Sequence, residues 1–238
     1  MDFGTVRQEF LVNVRKDIAA SISNDNLVMQ TIQSIEELNK VCNALSKRFR
    51  HWLALTLPEA EHAFSDHEAL ITAILTKDWK ELRPKNSMGK ELSTADNDAL
   101  LALAQQAKQA YLLREKLTQY LEKVMHAYCP NLLAVTGALV GAKLIDAVGS
   151  LKKLAEVHSS TIQLLGAEKA LFRHMRNKNS KPPKHGFILQ HPIVARAKQK
   201  GRAGRALADK IAIAARVDYF KGQFIGDQLR KQLEEKFP

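Results

Sequence analysis

The sequence predicts an all-α protein, a long antiparallel coiled-coil stalk joined to a compact helical domain. Three observations carry this: two apolar stripes of matching length, an almost complete lack of strand signals, and a change of texture after Pro130 to small-residue helical segments.

Val6, Phe10, Val14, Ile18 and Ile22 recur every four positions, which draws one apolar face on a short helix ending near Ser23 and Asn24. Val28, Ile32, Ile35, Leu38, Cys42, Leu45, Phe49 and Trp52 then step by threes and fours, a near-heptad seam closed by Pro58. The same rhythm returns in Leu103, Ala107, Ala110, Leu113, Leu117, Leu121, Val124 and Tyr128; Ser93, Thr94 and Asp96 can cap this helix, and Pro130 stops it. Two such helices bury their stripes by folding back on each other. Their connector, residues 59–92, holds a short helix predicted over 67–77 and a turn-rich RPKNSMG at 83–89, and is expected to form a tip and not a core.

After Pro130, NLLAVTGALVGAKLIDAVG, SLKKLAEV (with Ser150 as cap) and STIQLLGAEKALFRHM read as helices, the last entered through Gly166. A polar loop, RNKNSKPPKHG, leads to the helix-forming RAGRALADKIAIAARVDYF; FIL at 187–189 is the best strand signal. The expected domains are residues 1–23, a linking helix; 24–129, a coiled coil with a tip insertion; and 130–238, the compact domain.

With 238 residues and 45% apolar side chains, the chain can bury a real core. Cys42 and Cys129 stand alone without CxxC spacing or a signal peptide, which predicts a reduced, cytoplasmic setting. The longest uncharged apolar stretch, 132–142, falls short of the roughly 20 residues a membrane span needs. Gly137 and Gly141 form a GxxxG, expected to serve close packing inside a core.

Charge is where the sequence departs from an ordinary helical protein. Lys and Arg number 36 against 25 Asp and Glu, a formal +11. Eleven of the basic residues (Lys169, Arg173, Arg176, Lys178, Lys181, Lys184, Arg196, Lys198, Lys200, Arg202, Arg205) fall between 169 and 208, where no acid occurs. The whole excess therefore sits in one segment, and a concentrated field of this kind draws polyanions. Its residues lie on a helix, a loop and a second helix start, so a fold can converge them on one face. Apolar 187–189 and 192–194 separate the clusters, while His185, Gln190 and His191 can donate hydrogen bonds or stack on a base. A lipid surface is the weaker competitor, because RAKQKGRAGRALA lacks bulky insertion groups. His174, His185 and His191 lack the nearby Cys or carboxylate partners that a metal or acid–base site needs, so neither metal nor cofactor nor catalysis is expected.

LGAEKALFRHM (165–175), PPKHGFILQHP (182–192), KGRAGRALADK (200–210) and AIAARVDYFKG (212–222) together resemble the Nop domain, in its usual order and spacing. The upstream helices, DNLVMQTIQSIEELNKVCNALSKRFRHWLALTLPEA and LLREKLTQYLEKVMHAYCPNLLAVTGALVGAKLI, resemble the same family, so the likeness covers nearly the whole chain. It is strongest to archaeal box C/D ribonucleoprotein scaffold proteins.

The resemblance implies a noncatalytic scaffold that binds a composite of box C/D-type kink-turn RNA and its small ribosomal-protein-like partner. Such a scaffold supports guide ribonucleoprotein assembly for 2′-O-methylation. It implies RNA contacts at Lys169, Arg173, Lys184, His185, Gln190 and His191, and on the basic stretch Arg196, Lys200, Arg202, Arg205 and Lys210, with Phe172, Ile193 and Val194 meeting the protein partner. It also implies self-association, or pairing with a longer paralogue, through the coiled coil. Only about 23 residues precede the first seam, too few for the family's fibrillarin-binding domain, so a short form is expected and fibrillarin is a doubtful partner. The rival readings are a coiled-coil interaction module without RNA binding, and a nuclease using His185 or His191.

Overall fold

The computed structural model describes residues 3–76, 83–84, 86–177 and 179–237; Lys77 and Lys178, which the sequence reading used, lie outside them. Helices α1 (Phe3–Ser21), α2 (Asn24–Leu53), α3 (Ala60–Ala63), α4 (His67–Thr76) and α5 (Thr94–Tyr128) precede Pro130. Helices α6 (Pro130–Thr136), α7 (Ala138–Val148), α8 (Leu151–Glu156), α9 (Ser159–Leu164) and α10 (Glu168–Arg176) follow. A 3₁₀ turn (Phe187–Gln190), α11 (Pro192–Arg196), α12 (Lys200–Tyr219) and α13 (Gly226–Lys236) complete the chain, with no strand among the described residues. FIL is thus a turn: His191 and Pro192 begin a new helix directly after it, which leaves a strand no room.

The chain divides into two compact units, residues 33–119 and residues 1–32 with 120–238. In the first, α2 and α5 run antiparallel: Asn39 bonds Arg114 at 3.3 Å, and further along α2 Ser46 meets the earlier Tyr111, hydroxyl to hydroxyl, at 2.9 Å. The α2 seam lies where the spacing predicts, with Val28, Ile32, Ile35, Cys42 and Phe49 buried. The α5 stripe is rotated by about one residue from expectation. Leu100, Ala104, Ala107, Tyr111, Leu121 and Met125 are buried, whereas Leu113 is 48% exposed. Apolar runs such as LLALA and YLL offer two overlapping helical series, and the buried Ser46–Tyr111 bond belongs to the other one.

The connector is also a correction, since it is part of the core. Leu70, Ile71 and Ile74 of α4, with Leu57 and Ala60, pack in one cluster with Phe49, Leu53, Leu100 and Ala104. Lys108 reinforces this by donating to Thr72 Oγ1 at 3.0 Å and pairing with Glu68 at 3.3 Å. At the start of α5, Ser93 Oγ accepts from Asp96 N at 3.3 Å, the expected cap.

In the other unit α12 is the axis on which α6, α8, α9, α11 and α13 pack. Its buried face is Ala203, Gly204, Leu207, Ala208, Ile211, Ala212, Ala214 and Ala215, and small side chains at this spacing let five elements approach closely. Ser150 caps α8 as predicted, accepting from Lys153 N at 3.1 Å, and Asp25 of α2 accepts from Leu151 N at 2.9 Å. The GxxxG glycines do not share a helix: Gly137, with φ 72°, is the joint between α6 and α7. Gly141 is buried where a Cβ would lie 2.8 Å from Met125 Cε, so it does serve core packing. No single described helix is long and apolar enough to cross a membrane; α6 and α7 pass jointly by composition but bend by 117°. On α1, Phe10 and Ile18 are exposed, as is Ile22 just after it, while Val14 is half-buried.

Candidate nucleic-acid interface

The segment after the 3₁₀ turn is held against the first turns of α12. A Cβ on Gly204 would meet Ile188 Cδ1 at 3.2 Å, and Ile188, Ile193 and Val194 are all buried. This corrects the assignment of Ile193 and Val194 to a partner contact. Ile188, Ile193 and Val194 anchor the loop to its own domain, while Leu189 beside them stays exposed.

Two glycines set the loop's entry. Gly186 N donates to Gln163 O at 2.9 Å and Phe187 N to Leu165 O at 2.8 Å, which lays the loop along the end of α9. A Cβ at Gly186 would fall 1.8 Å from Leu165 O, so only glycine fits this approach. Gly166, at φ 87°, ends the predicted single helix and divides it into α9 and α10, and the Phe187 ring lies against it. Glu168 Oε1 accepts from Gly166 N at 2.6 Å and secures the joint.

These contacts shape a cleft of about 940 Å³ between α9, residues 183–185 of the loop and the start of α12. Gln163, Lys184, His185, Lys198, Lys200, Arg202 and Arg205 line it, with no Asp or Glu among them. Among the described residues no carboxylate pairs with any of these cations, so the positive field is uncompensated at short range. Arg202 and Arg205 project from the exposed face of α12, opposite the buried Ala203 and Leu207. The start of α12 has no side-chain cap, so its free backbone N–H groups add to the field. Gln163 Nε2 donates to Lys184 O at 2.6 Å and fixes the loop from behind. His185 is half-buried with Nδ1 unpartnered among the described residues.

The expected residues do not all converge here. Lys169 and Arg173 lie on α10, where with Phe172 and Arg176 they line a separate, open groove. This nine-residue helix buries no side chain, and Phe172 is 58% exposed. Gln190 is exposed, its Oε1 accepting from Lys143 Nζ at 2.9 Å.

His191 is turned into the fold. Its Nδ1 accepts from Ile193 N at 3.3 Å as the cap of α11. Burial holds its pKa below the ordinary 6.5, Arg230 and Arg196 push the same way, and Val135 and Glu234 oppose them. With Nδ1 taken up by the cap, only the rest of the half-buried ring is left to meet RNA. Arg196 folds back toward Pro192 O at 3.3 Å, and Lys210 is engaged by Gln232.

Lys198, Gln163 and Lys143 were absent from the predicted contacts. Lys198 belongs to the acid-free run and could have been included; the other two approach from helices remote in sequence. His174 pairs with the Ser180 carbonyl, and no three His, Cys, Asp or Glu side chains group as metal ligands among the described residues.

A family model described as Nop, "snoRNA binding domain, fibrillarin", matches residues 34–238. The chain is 41% identical over 234 residues to an uncharacterized NOP5 family protein of Methanocaldococcus jannaschii, covering 89% of this chain and 56% of that one. It is 37% identical over 218 residues to nucleolar protein 58 of Candida albicans, covering 82% and 42% respectively. With nucleolar protein 56 of Schizosaccharomyces pombe it shares 32% over 243 residues, covering 90% and 49%. The chain thus spans about half the length of these relatives. Its fold is similar to a chain in the crystal structure of a fibrillarin/Nop5p complex, with TM-score 0.58, 22% identity, and coverage of 99% of this chain and 77% of that one.

Proposed function

The chain belongs to the Nop family, and from that premise we propose that it is a noncatalytic ribonucleoprotein scaffold of the box C/D class. Residues 130–238 dock on a composite surface, a kink-turn RNA already held by its small kink-turn-binding protein. Residues 24–129 pair with a second copy or a longer paralogue. The assembly supports guide-directed RNA 2′-O-methylation in the cell interior. Fibrillarin, doubtful from the sequence alone, returns as a candidate partner, because the family description and the similar crystal structure, a fibrillarin/Nop5p complex, both name it.

The observation that carries this reading is the acid-free cleft, with Lys184, Lys198, Lys200, Arg202 and Arg205 on separate segments around one concavity. Separated cations in fixed positions suit successive phosphates of a bent backbone. On α10 the exposed Phe172 stands beside Lys169 and Arg173, a mixed surface that suits the protein half of the composite. Neither RNA nor small protein alone offers the full surface, so each covers only part of the association cost.

A gel shift with a reconstituted kink-turn complex tests this. Binding is expected to be strong to the preformed complex and weak to bare RNA. If six to ten phosphates are neutralised, affinity should fall about a thousandfold or more between 50 and 200 mM salt. Equal affinity for both probes, or no binding to either, sinks the proposal. Cleavage of labelled RNA would instead support a nuclease.

A further inference from the structure

We propose that Lys143 of α7 is a positioning residue for the RNA-facing surface, holding the Gln190 carboxamide so that its amino group points outward as a donor. The position then reads a hydrogen-bond acceptor on the bound RNA. This rests on the ribonucleoprotein-binding reading above.

A carboxamide has two faces of opposite character, and what it recognises depends on which one is turned out. Lys143 Nζ stands 2.9 Å from Gln190 Oε1. An ammonium can only donate, so the oxygen must be the atom facing it and the two Nε2 hydrogens are directed elsewhere. The orientation therefore follows from the chemistry of the partner.

Both ends of this contact are anchored. Lys143 is flanked on α7 by Ala142 and Leu144, which are fully buried, so its backbone is fixed in the core. Gln190 ends the 3₁₀ turn, whose Ile188 is fully buried beside Gly204 and whose Phe187 ring is seated on Gly166. The Lys143 ammonium also lies 6.0 Å from the centroid of that ring, so one side chain holds two residues of the turn. Gln190 itself is exposed. Without Lys143, its terminal amide would be free to rotate and would have to be ordered at the moment of binding.

Direct phosphate binding by Lys143 makes opposite predictions, and a double-mutant cycle separates the two roles. The probe is the kink-turn RNA with its bound small protein, followed by fluorescence anisotropy at several salt concentrations. Lys143→Ala and Gln190→Ala are each expected to weaken binding about five- to tenfold, and the double variant no further than either single one. Lys143→Arg retains most of the affinity. The salt slope is expected to be unchanged in Lys143→Ala, because the ammonium neutralises no phosphate. Gln190→Glu keeps a partner for Lys143 but turns only an acceptor outward, and is expected to bind no better than Gln190→Ala.

In the free protein, Lys143→Ala is expected to shift the side-chain amide resonances of Gln190 while leaving the thermal midpoint in place. Additive losses with a salt slope lower by about one, or wild-type affinity in Lys143→Ala, overturn the inference and leave the proposed function intact. Failure of the wild-type chain to bind the probe overturns both.

Discussion

The carboxylate of Asp218, near the end of α12, caps the start of α6 across 87 residues of sequence: its Oδ1 accepts from Asn131 N at 3.1 Å and from Asn131 Nδ2 at 2.8 Å. Its Oδ2 accepts from Leu132 N at 2.7 Å, and Asn131 Oδ1 in turn accepts from Ile225 N at 2.6 Å. One side-chain pair thereby joins the first turn of α6, the end of α12 and the loop before α13. A carboxylate suits a helix start, where N–H groups lack internal partners.

Asp218→Ala removes the acceptor for three donors at once. Leaving buried donors unpaired costs about 1–3 kcal/mol each at most, and partial access to water reduces this, so a loss of about 2–4 kcal/mol is expected. Asp218→Asn should lose less, since one amide oxygen can still serve Asn131 while its amino group opposes Leu132 N. Urea denaturation of the three proteins gives the order; wild-type stability in Asp218→Ala would show that the cap is dispensable.

Phe172 and Ile193 separate surface from support. Ile193 is 4% exposed and anchors the loop, so Ile193→Ala is expected to cost about 2–4 kcal/mol of stability and to weaken binding only through the fold. Phe172→Ala should change stability by under about 0.5 kcal/mol while weakening binding to the RNA–protein composite more than to bare RNA. Calorimetry and the gel shift together distinguish the two.

How far the sequence could be read follows from the same distinction. The α2 seam was legible because its apolar residues form one stripe, and the caps at Ser93 and Ser150 because capping is a local event. The α5 register was not, since its apolar residues surround more of the helix and the choice depends on Ser46 of another helix. The connector read as a tip because α4 is short; its place in the core follows from long-range packing on Phe49 and Leu100. Charge marked the segment that lines the acid-free cleft, yet side-chain direction could not be read from it. Ile188 stands in the same motif as His185 and is buried, as is Val194 just beyond it, a consequence of the chain turning at Gly186 and restarting at Pro192.

Arg202 and Arg205 are on the exposed face of α12 and line the cleft. If each neutralises one phosphate, replacing both by Ala should lower the slope of log affinity against log salt by about two. The thermal midpoint should not fall, because neither side chain holds the fold together by an ion pair among the described residues. An unchanged slope would remove these two arginines from the phosphate contacts.

His191 makes stability depend on pH. The neutral ring caps α11 by accepting at Nδ1 from Ile193 N, and burial keeps its pKa below the ordinary 6.5. The unfolded chain therefore takes up the proton more readily than the native one. The contribution of the cap is fully present above pH 6.5 and is lost as pH falls through the lower native pKa. His191→Asn keeps an acceptor at the cap without titrating, so it should show a smaller drop in urea midpoint between about pH 7.5 and about pH 5.5 than wild type. Equal drops in the two proteins would assign the acid sensitivity to other groups.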